Sequence, residues 1–282
     1  MDHLANRQTN ISAAKPFVAP LGNLSHLGFG AFAPHDSLRE WVQCYWLVQC
    51  DALPNGGYTE KLYPDGGTSL TFYFSPGQLP LILFDARHDL TSRHFQGCLD
   101  TIGIRFQPGG AFQLFGQQIA DTIGGEIPAL ELQLINLPLL QRQLVDCQHN
   151  QQRLMVIERW LLQHAKQQNA QTGVIQHLWP KLLKTSNNLA ELTQSLNLSR
   201  RQIERKFQSE IGLSPAYIKL LHNIKAARRL ISQAPKRSLT DIGLECGFYD
   251  QAHFIRQFRK ITQQTPGQYK AKKMSQIYNS VK

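Results

Sequence analysis

The fold of the C-terminal third is decided by the stretch Ser238-Leu-Thr-Asp-Ile-Gly-Leu-Glu-Cys-Gly-Phe-Tyr-Asp-Gln-Ala-His-Phe-Ile-Arg-Gln-Phe-Arg-Lys-Ile-Thr-Gln-Gln-Thr-Pro266. It opens with Ser238 and, three positions later, Asp241, a pair that satisfies free N–H groups at the start of a helix. A second apolar pattern follows with Phe258 on its buried face, and Thr265-Pro266 ends the unit. The stretch therefore predicts two helices joined by a tight turn, which is a helix-turn-helix.

The same pattern occurs a second time, about 50 residues earlier in the chain. This copy begins at Asn188 with Glu191 three positions later. It places Phe207 where the other copy has Phe258, and it ends at Ser214-Pro215. Two such units on one chain predict a DNA-binding protein that contacts two successive segments of the major groove. Between the units, apolar residues at three- and four-residue spacing predict one long joining helix, namely Ile218, Leu221, Ile224, Ala227, Leu230 and Ile231.

The positive charge of the chain is concentrated in the same region. Residues 180–282 hold 19 Lys/Arg and 6 Asp/Glu, a net charge of +13, whereas residues 1–179 carry −3. Clustered positive charge is what the neutralisation of DNA phosphates requires. A solvated basic surface would explain the charge alone, but it would not explain why the charge coincides with the duplicated pattern.

Length and composition indicate a globular protein without a membrane segment. The 282 residues suffice for two cores, and 42% of them are hydrophobic. No stretch approaches 18 uncharged apolar residues, and the N-terminus lacks the apolar region of a signal peptide. We therefore expect a cytoplasmic protein with no membrane partner. The five cysteines form no Cys-x-x-Cys pair, which favours reduced thiols.

The N-terminal half contains short strand patterns followed by a helical one. The strand patterns are bounded by Gly, Pro and Asp and cover residues 41–48, 62–74, 79–84 and 101–106, and the second of them contains a turn at Asp65-Gly66-Gly67 that leads into its strand. They predict a small β-barrel or sandwich-like domain with helices, so the whole chain is expected to be α+β, with an all-α C-terminal domain. Residues Gln151 to Ala170 show a helical period. Its apolar face is expected to pack either on its own domain or on a second copy of the chain, and it consists of Leu154, Ile157, Leu161 and Leu162.

The helix predicted at about 199–210 directs two arginines away from its buried face. Ile203 and Phe207 share one face, and Arg201 and Arg205 lie opposite them at about 100° per residue. The N-terminal part of such a helix meets the base edges, where Arg pairs with guanine. We predict Arg201 and Arg205 as base readers. Further DNA contacts on this helix are predicted at Gln208 and, to phosphates, at Arg200 and Lys206.

The helix predicted at about 250–261 has the corresponding arrangement. Its buried face consists of Phe254, Phe258 and Ile261. Ala252 and Arg256 lie opposite, and Gln251 and His253 flank the helix start. Since Gln pairs with adenine, Gln251 and Arg256 are predicted to read bases. The predicted phosphate contacts are Arg259, Lys260 and Lys270.

At this point the sequence resembles a known family. Residues from about 185 to 272 are similar to the AraC/XylS family of bacterial transcription regulators. The similarity is carried by Ile242-Gly-Leu-Glu-Cys-Gly-Phe248, Phe254-Ile-Arg-Gln-Phe-Arg-Lys260 and Thr265-Pro-Gly-Gln-Tyr269. The resemblance implies two units joined by a helix, each inserting one helix into the major groove. By position it implies base contacts at Arg201, Arg205, Gln251, Ala252 and Arg256.

Two positions depart from the family pattern. Ala252 cannot form a hydrogen bond, although its methyl group fits a thymine methyl, so Gln251 or His253 is the expected polar reader there. Gln263 stands where a glycine would end the helix, which affects the cap more than recognition.

The N-terminal half resembles the family in layout. The resemblance implies an effector or dimerisation domain over residues 1–165, a linker over 166–179 and the tandem DNA-binding domain over 180–275. Two segments, Tyr63-Pro-Asp-Gly-Gly67 and Arg105-Phe-Gln-Pro-Gly-Gly110, are similar to a variant sensor domain of some members. His88 and His94 are six residues apart and no His-x-His exists, so we expect no metal and no cofactor. An aromatic group is expected in the core, with the lining of a pocket as the alternative for some of its members: Trp41, Tyr45, Trp46, Phe72 and Phe74.

The expected function is a sequence-specific transcription regulator whose N-terminal domain modulates DNA binding. Its expected partners are double-stranded DNA and a small-molecule effector, with RNA polymerase and a homodimeric second copy as further alternatives. One competing hypothesis is a redox- or damage-responsive regulator or repair enzyme that uses a cysteine of the N-terminal domain, but Cys44, Cys50 and Cys98 form no cluster. Another is an architectural DNA binder without sequence preference, which the arginines on the predicted reading faces disfavour. We find no enzyme motif and expect no catalytic residue.

Overall fold

The chain folds around two hydrophobic cores, one for each half of the sequence. A computed structural model describes residues 28–53, 56–86, 88–116, 126–167, 173–183 and 198–280. The first core draws its residues from Leu38 to Leu161 and the second from Ile175 to Tyr269. We call residues 28–167 the sheet part and residues 173–280 the helical part, in each case as far as they are described. The α+β class is as predicted.

The sheet part contains eight described strands. Their bounds are Gly30–Phe32 (β1), Val42–Cys50 (β2), Tyr58–Leu62 (β3), Thr68–Tyr73 (β4), Leu81–Ala86 (β5), Thr91–Phe95 (β6), Leu99–Phe106 (β7) and Glu126–Pro128 (β8). Six form one antiparallel sheet in the order β1-β2-β7-β4-β5-β8, and β3 pairs with β6 in a second sheet. The four predicted strand segments correspond to β2, β4, β5 and β7. The sequence patterns gave no signal for β1, β6 and β8, and they reached β3 only at Leu62.

The centre of the large sheet is β7, which is hydrogen-bonded on both sides. Ile104 is opposite Tyr45 of β2 and Leu70 of β4, and all three side chains are buried. A Cβ at Gly103 would overlap the ring of Trp46, so this position of the strand has no room for a side chain. Tyr45 and Phe72 of the predicted aromatic group are buried in this core, as expected.

Three described α-helices belong to the sheet part: Gly110–Phe115 (α1), Leu137–Val145 (α2) and Asn150–Gln167 (α3). Two short 3-10 helices, Asp36–Leu38 and Ala129–Leu132, accompany them. The apolar face of α3 packs inside its own core through Leu154, Ile157 and Leu161, with Leu162 partly buried beside them. This is the first of the two alternatives that the sequence left open. The face is therefore not available to a second copy.

The helical part consists of six described helices. They are Val174–Leu183 (α4), Arg200–Ile211 (α5), Pro215–Gln233 (α6), Leu239–Glu245 (α7), Gln251–Thr262 (α8) and Pro266–Ser280 (α9). Helix α4 overlaps the predicted linker (166–179), yet it packs in the second core through Ile175, Leu178 and Leu182. The residue ranges of the domains stay predictions. The predicted cap at Asn188 and Glu191 lies outside the described residues.

Side-chain caps fix where these helices begin. Ser199 and Gln202 form a reciprocal capping box at the start of α5, and Ser214 accepts from the backbone N–H of Tyr217 at the start of α6. Ser238 caps α7 through the N–H of Asp241, as the sequence predicted. None of the described helices has the length and apolar character needed to cross a membrane.

Candidate nucleic-acid interface

Helix α5 has one side buried in the second core and a polar side that is exposed. Ile203 and Phe207 are fully or almost fully buried in the second core. Arg201 and Arg205 are exposed on the opposite side, as predicted. The exposed face is completed by Arg200, Glu204 and Gln208, whereas Lys206 is half-buried and Gln208 donates to the carbonyl of Gly212 at 3.3 Å.

Arg200 is held by a neighbour on its own helix. Its Nε donates to Oε1 of Glu204 at 2.9 Å, and both side chains are largely exposed. An ion pair of this kind contributes about 0.3–0.5 kcal/mol, so a phosphate can replace the carboxylate at little cost. The predicted phosphate role of Arg200 is compatible with this geometry.

Helix α8 repeats the arrangement in the second unit. Phe254 and Phe258 are completely buried, while Gln251, Ala252 and Arg256 are exposed on the far side. Asp250 caps the helix by accepting from the N–H of His253 at 2.6 Å, which leaves Gln251 and Ala252 in the first exposed turn. Arg259 and Lys260 are also exposed, one turn further along.

His253 and Lys270, two further predicted contacts, also have partners within the protein. The His253 ring is half-buried, packs against Phe248 with ring centroids 5.7 Å apart, and accepts from the N–H of Tyr249 at 3.5 Å. Lys270 donates to the carbonyl of Arg237 at 2.9 Å. Gln251 is therefore the exposed polar side chain at the start of α8.

The structure adds three exposed residues that the sequence analysis did not single out. Glu204 and Ile255 occupy matching positions, each directly before the paired arginines Arg205 and Arg256, and both are exposed. The helical spacing that identified the arginines would have identified these two as well. Tyr249, in the turn before α8, is 88% exposed.

Gln263 ends α8 in the left-handed region, with φ of +59°. In the first unit Gly212 has this role, with φ of +77°. Gln263, which stands where the family pattern has glycine, therefore caps α8 in a strained conformation, because a left-handed backbone is unfavourable for a residue with a Cβ.

Three of the cysteines are unsuited to thiolate chemistry. Burial raises the pKa of Cys246 to about 11 and also raises the pKa of Cys44 and of Cys147. A raised pKa keeps the thiol protonated and lowers its reactivity. In the part of the chain that the structure describes, no group of three His, Cys, Asp or Glu side chains could hold a metal ion.

Comparison with known proteins gives two family matches. Residues 192–272 match the model of a helix-turn-helix domain, and residues 31–128 match a domain of unknown function (DUF6597). The first match extends from before α5 into α9, and the second extends from β1 to the end of β8.

Two curated relatives and one solved structure illustrate the similarity. An uncharacterized HTH-type transcriptional regulator of Haemophilus influenzae is 30% identical over 123 residues, which are 39% of this chain and 41% of the relative. The arabinose operon regulatory protein of Escherichia coli is 28% identical over 171 residues, 59% of this chain and 54% of the relative. A transcriptional regulator with an AraC-type DNA-binding domain from Chromobacterium violaceum is 29% identical, with 34% of this chain and 95% of that chain covered and a TM-score of 0.29. The chain spans about half the length of these two curated relatives.

Helices α5 and α8, each capped and anchored beside one connecting helix, lie within the region that matches a helix-turn-helix domain. The C-terminal region is therefore similar to the DNA-binding domain of AraC-type regulators, as the sequence resemblance indicated.

Proposed function

We propose that the chain is a sequence-specific transcription regulator whose helices α5 and α8 enter two successive segments of the major groove. The observation that carries this proposal is the repeated geometry of Arg205 and Arg256. Each is exposed opposite a buried phenylalanine, Phe207 or Phe258, two residues further along its helix. A rigid helix with an outward arginine suits bidentate pairing with guanine.

The two units are expected to read different bases. The first offers Arg201 and Arg205, with Glu204 between them as an acceptor for cytosine N4. The second offers Gln251 for adenine and Arg256 for guanine, with the methyl groups of Ala252 and Ile255 for thymine. The proposed phosphate contacts are Arg200, Lys206, Arg259 and Lys260. Gln208 and His253 border these faces, and Lys270 supports the fold instead.

Modulation of DNA binding is the proposed role of the sheet part. Its charge differs from that of the helical part, and its own core gives it an independent fold. We infer that a small organic molecule, rather than a metal ion, is its effector. RNA polymerase and a second copy are further candidate partners, the latter through a surface other than the buried face of α3.

The base-reading assignment is tested by alanine variants measured against the preferred DNA site. Arg205→Ala and Arg256→Ala should each cost about 1–3 kcal/mol of binding and relax one cluster of base positions. The two clusters should be centred about 10 base pairs apart, which is one helical turn. Lys260→Ala should weaken specific and non-specific binding alike and reduce the salt slope by about one.

A matched control is Arg159→Ala, which removes an exposed arginine from α3 of the sheet part and should leave binding unchanged. Equal losses on all sequences for the two α5 and α8 variants would contradict base reading.

A further inference from the structure

The two glycine-containing segments of the sheet part lie side by side. Tyr63–Gly67 connects β3 to β4, and Arg105–Gly110 connects the end of β7 to α1. Asp65 forms an ion pair with Arg105, and a Cβ at Gly67 would lie only 2.8 Å from the carbonyl oxygen of Phe106. The two segments therefore form one continuous surface, which we call the glycine surface.

The helical part rests on this surface. Lys225 of α6 donates to Oδ2 of Asp65 at 2.8 Å, and the guanidinium of Arg228 lies 3.3 Å from the ring centroid of Tyr63. The Tyr63 side chain packs against the second core and accepts from Nε2 of Gln264 at 3.2 Å. Lys225 and Arg228 lie on the connecting helix, and Gln264 follows α8. The segment 63–67 therefore contacts both the connecting helix and the second unit.

Glycine allows the close approach of the two backbones. Gly66 has φ of +77°, and a Cβ there would lie 2.6 Å from the side chain of Ile218 on α6. Gly109 has φ of +75°, and its Cβ would lie 3.2 Å from Ile175 on α4. A side chain at Gly66 would therefore overlap the Ile218 side chain and would stand at a backbone conformation that favours glycine.

Further contacts reach the first unit. Gln113 of α1 donates to Oε2 of Glu210 at 3.1 Å, near the end of α5. The hydroxyl of Tyr217 donates to the carbonyl of His88 at 3.3 Å. The sheet part thus contacts the C-terminal end of α5 and the residues that follow α8. Arg201, Arg205 and Arg256 remain exposed.

The Asp65 carboxylate lies between two cations, Arg105 and Lys225. Its side chain is 16% exposed, against 21% for Arg105 and 39% for Lys225. Burial, followed by the charge of Arg105, lowers the pKa of Lys225 to about 8. Without Asp65, two partly desolvated positive charges would face each other.

We propose that the glycine surface, with Asp65 as its required counter-ion, is the docking site by which this domain of unknown function holds the tandem helix-turn-helix domain and influences both of its units. The docking itself is independent of the proposed function, whereas its influence on DNA reading rests on it. Since the reading faces stay open, the surface acts by fixing the orientation of the units and not by covering them.

Hydrogen exchange of the full-length chain tests the docking. Asp65→Asn keeps the oxygen that accepts from the N–H of Gly67 but removes the charge, and it should speed exchange in peptides covering 217–228 and 259–268 by about tenfold. These peptides belong to the helical part, so local loosening of the 63–67 loop would not affect them. Unchanged exchange in both peptides would overturn the docking role of Asp65.

A suppressor variant makes the test specific for charge. Lys225→Met leaves the Asp65–Arg105 pair intact and should stay within about twofold of the wild type. In the double variant, Asp65→Asn with Lys225→Met, one cation is left instead of two, so exchange should return towards the wild-type rate. A double variant as fast as Asp65→Asn alone would contradict the proposal. Glu245→Gln, which breaks an exposed ion pair with Arg237, is the matched control and should change nothing at the contact.

Addition of the preferred DNA duplex tests the influence on reading. Coupling is reciprocal, so DNA should alter exchange of residues 63–67 in the wild type and not in Asp65→Asn. No effect of bound DNA on these residues would refute the coupling. If the wild-type chain shows no sequence-selective binding, the proposed function fails instead, and the exchange rates of the free chain still decide the docking.

Discussion

Replacement of Phe258 by alanine tests whether the second helix-turn-helix unit depends on one aromatic anchor. The side chain is 0% exposed, and its ring centroid lies 5.5 Å from that of Phe254 and 5.6 Å from that of Tyr269, both close to edge-to-face. Truncation of a buried phenylalanine costs about 3–5 kcal/mol, and the two ring contacts favour the upper part of that range. Domains are stable by about 5–15 kcal/mol, so the loss is a large fraction of the total.

The assay is urea unfolding of the full-length chain followed by circular dichroism at helical wavelengths. Tyr249→Ala is the matched control, because it removes an aromatic side chain of the same unit that is 88% exposed. That variant should keep the wild-type free energy of unfolding within about 0.5 kcal/mol. A cost below about 1 kcal/mol for Phe258→Ala would refute the anchoring role.

Four further predictions concern the fold and its surroundings. A fragment of residues 174–282 should fold and bind DNA alone, whereas a fragment that starts at residue 184 lacks α4 and should be less stable. A circular dichroism spectrum that shows the 174–282 fragment to be unfolded would contradict this. Gln263→Gly should raise the free energy of unfolding by about 0.5–1 kcal/mol, because glycine removes the left-handed strain; a loss of stability would argue against it. Burial lowers the pKa of His88, His164 and His222 below the ordinary 6.5. As the pH falls, these histidines are protonated in the unfolded chain before they are protonated in the folded one, so the free energy of unfolding should decrease below pH 6.5. His164→Gln should flatten this decline, and an unchanged slope would exclude that histidine as a contributor. Finally, a chelator should leave the affinity for DNA unchanged, and a loss of DNA affinity on chelation would show that binding depends on a metal ion.

The helical part was largely predictable because its signals are local. The apolar stripe of α6 lies within 14 residues, from Ile218 to Ile231, and all but Leu230 are fully buried as predicted. The cap at Ser238 and the anchors Phe207 and Phe258 also follow from spacing within one or two turns. Glu204 and Ile255 carry no hydrogen-bond donor that distinguishes them from ordinary exposed positions of a helix, although acceptors and methyl groups also read bases.

The arrangement of the sheet part was not predictable in the same way. Paired residues of β2 and β7 lie far apart in the chain, from Cys50 with Leu99 to Val42 with Phe106, and periodicity within a strand carries no information about its partner. The contact between Asp65 and Lys225 spans 160 positions, and each residue alone looks like an ordinary surface charge. The Gly66-Gly67 pair marked a turn in the sequence, but its closeness to Ile218 depends on the packing of two separate cores.

Selection of bound sequences from a random duplex pool by the full-length chain is the most direct test of the central claim. Two helix-turn-helix units on one connecting helix predict two enriched clusters of bases whose centres lie about 10 base pairs apart. The same selection with Arg256→Ala should lose one cluster and keep the other. Absence of enrichment, or a single cluster that both arginine variants erase together, would contradict the account.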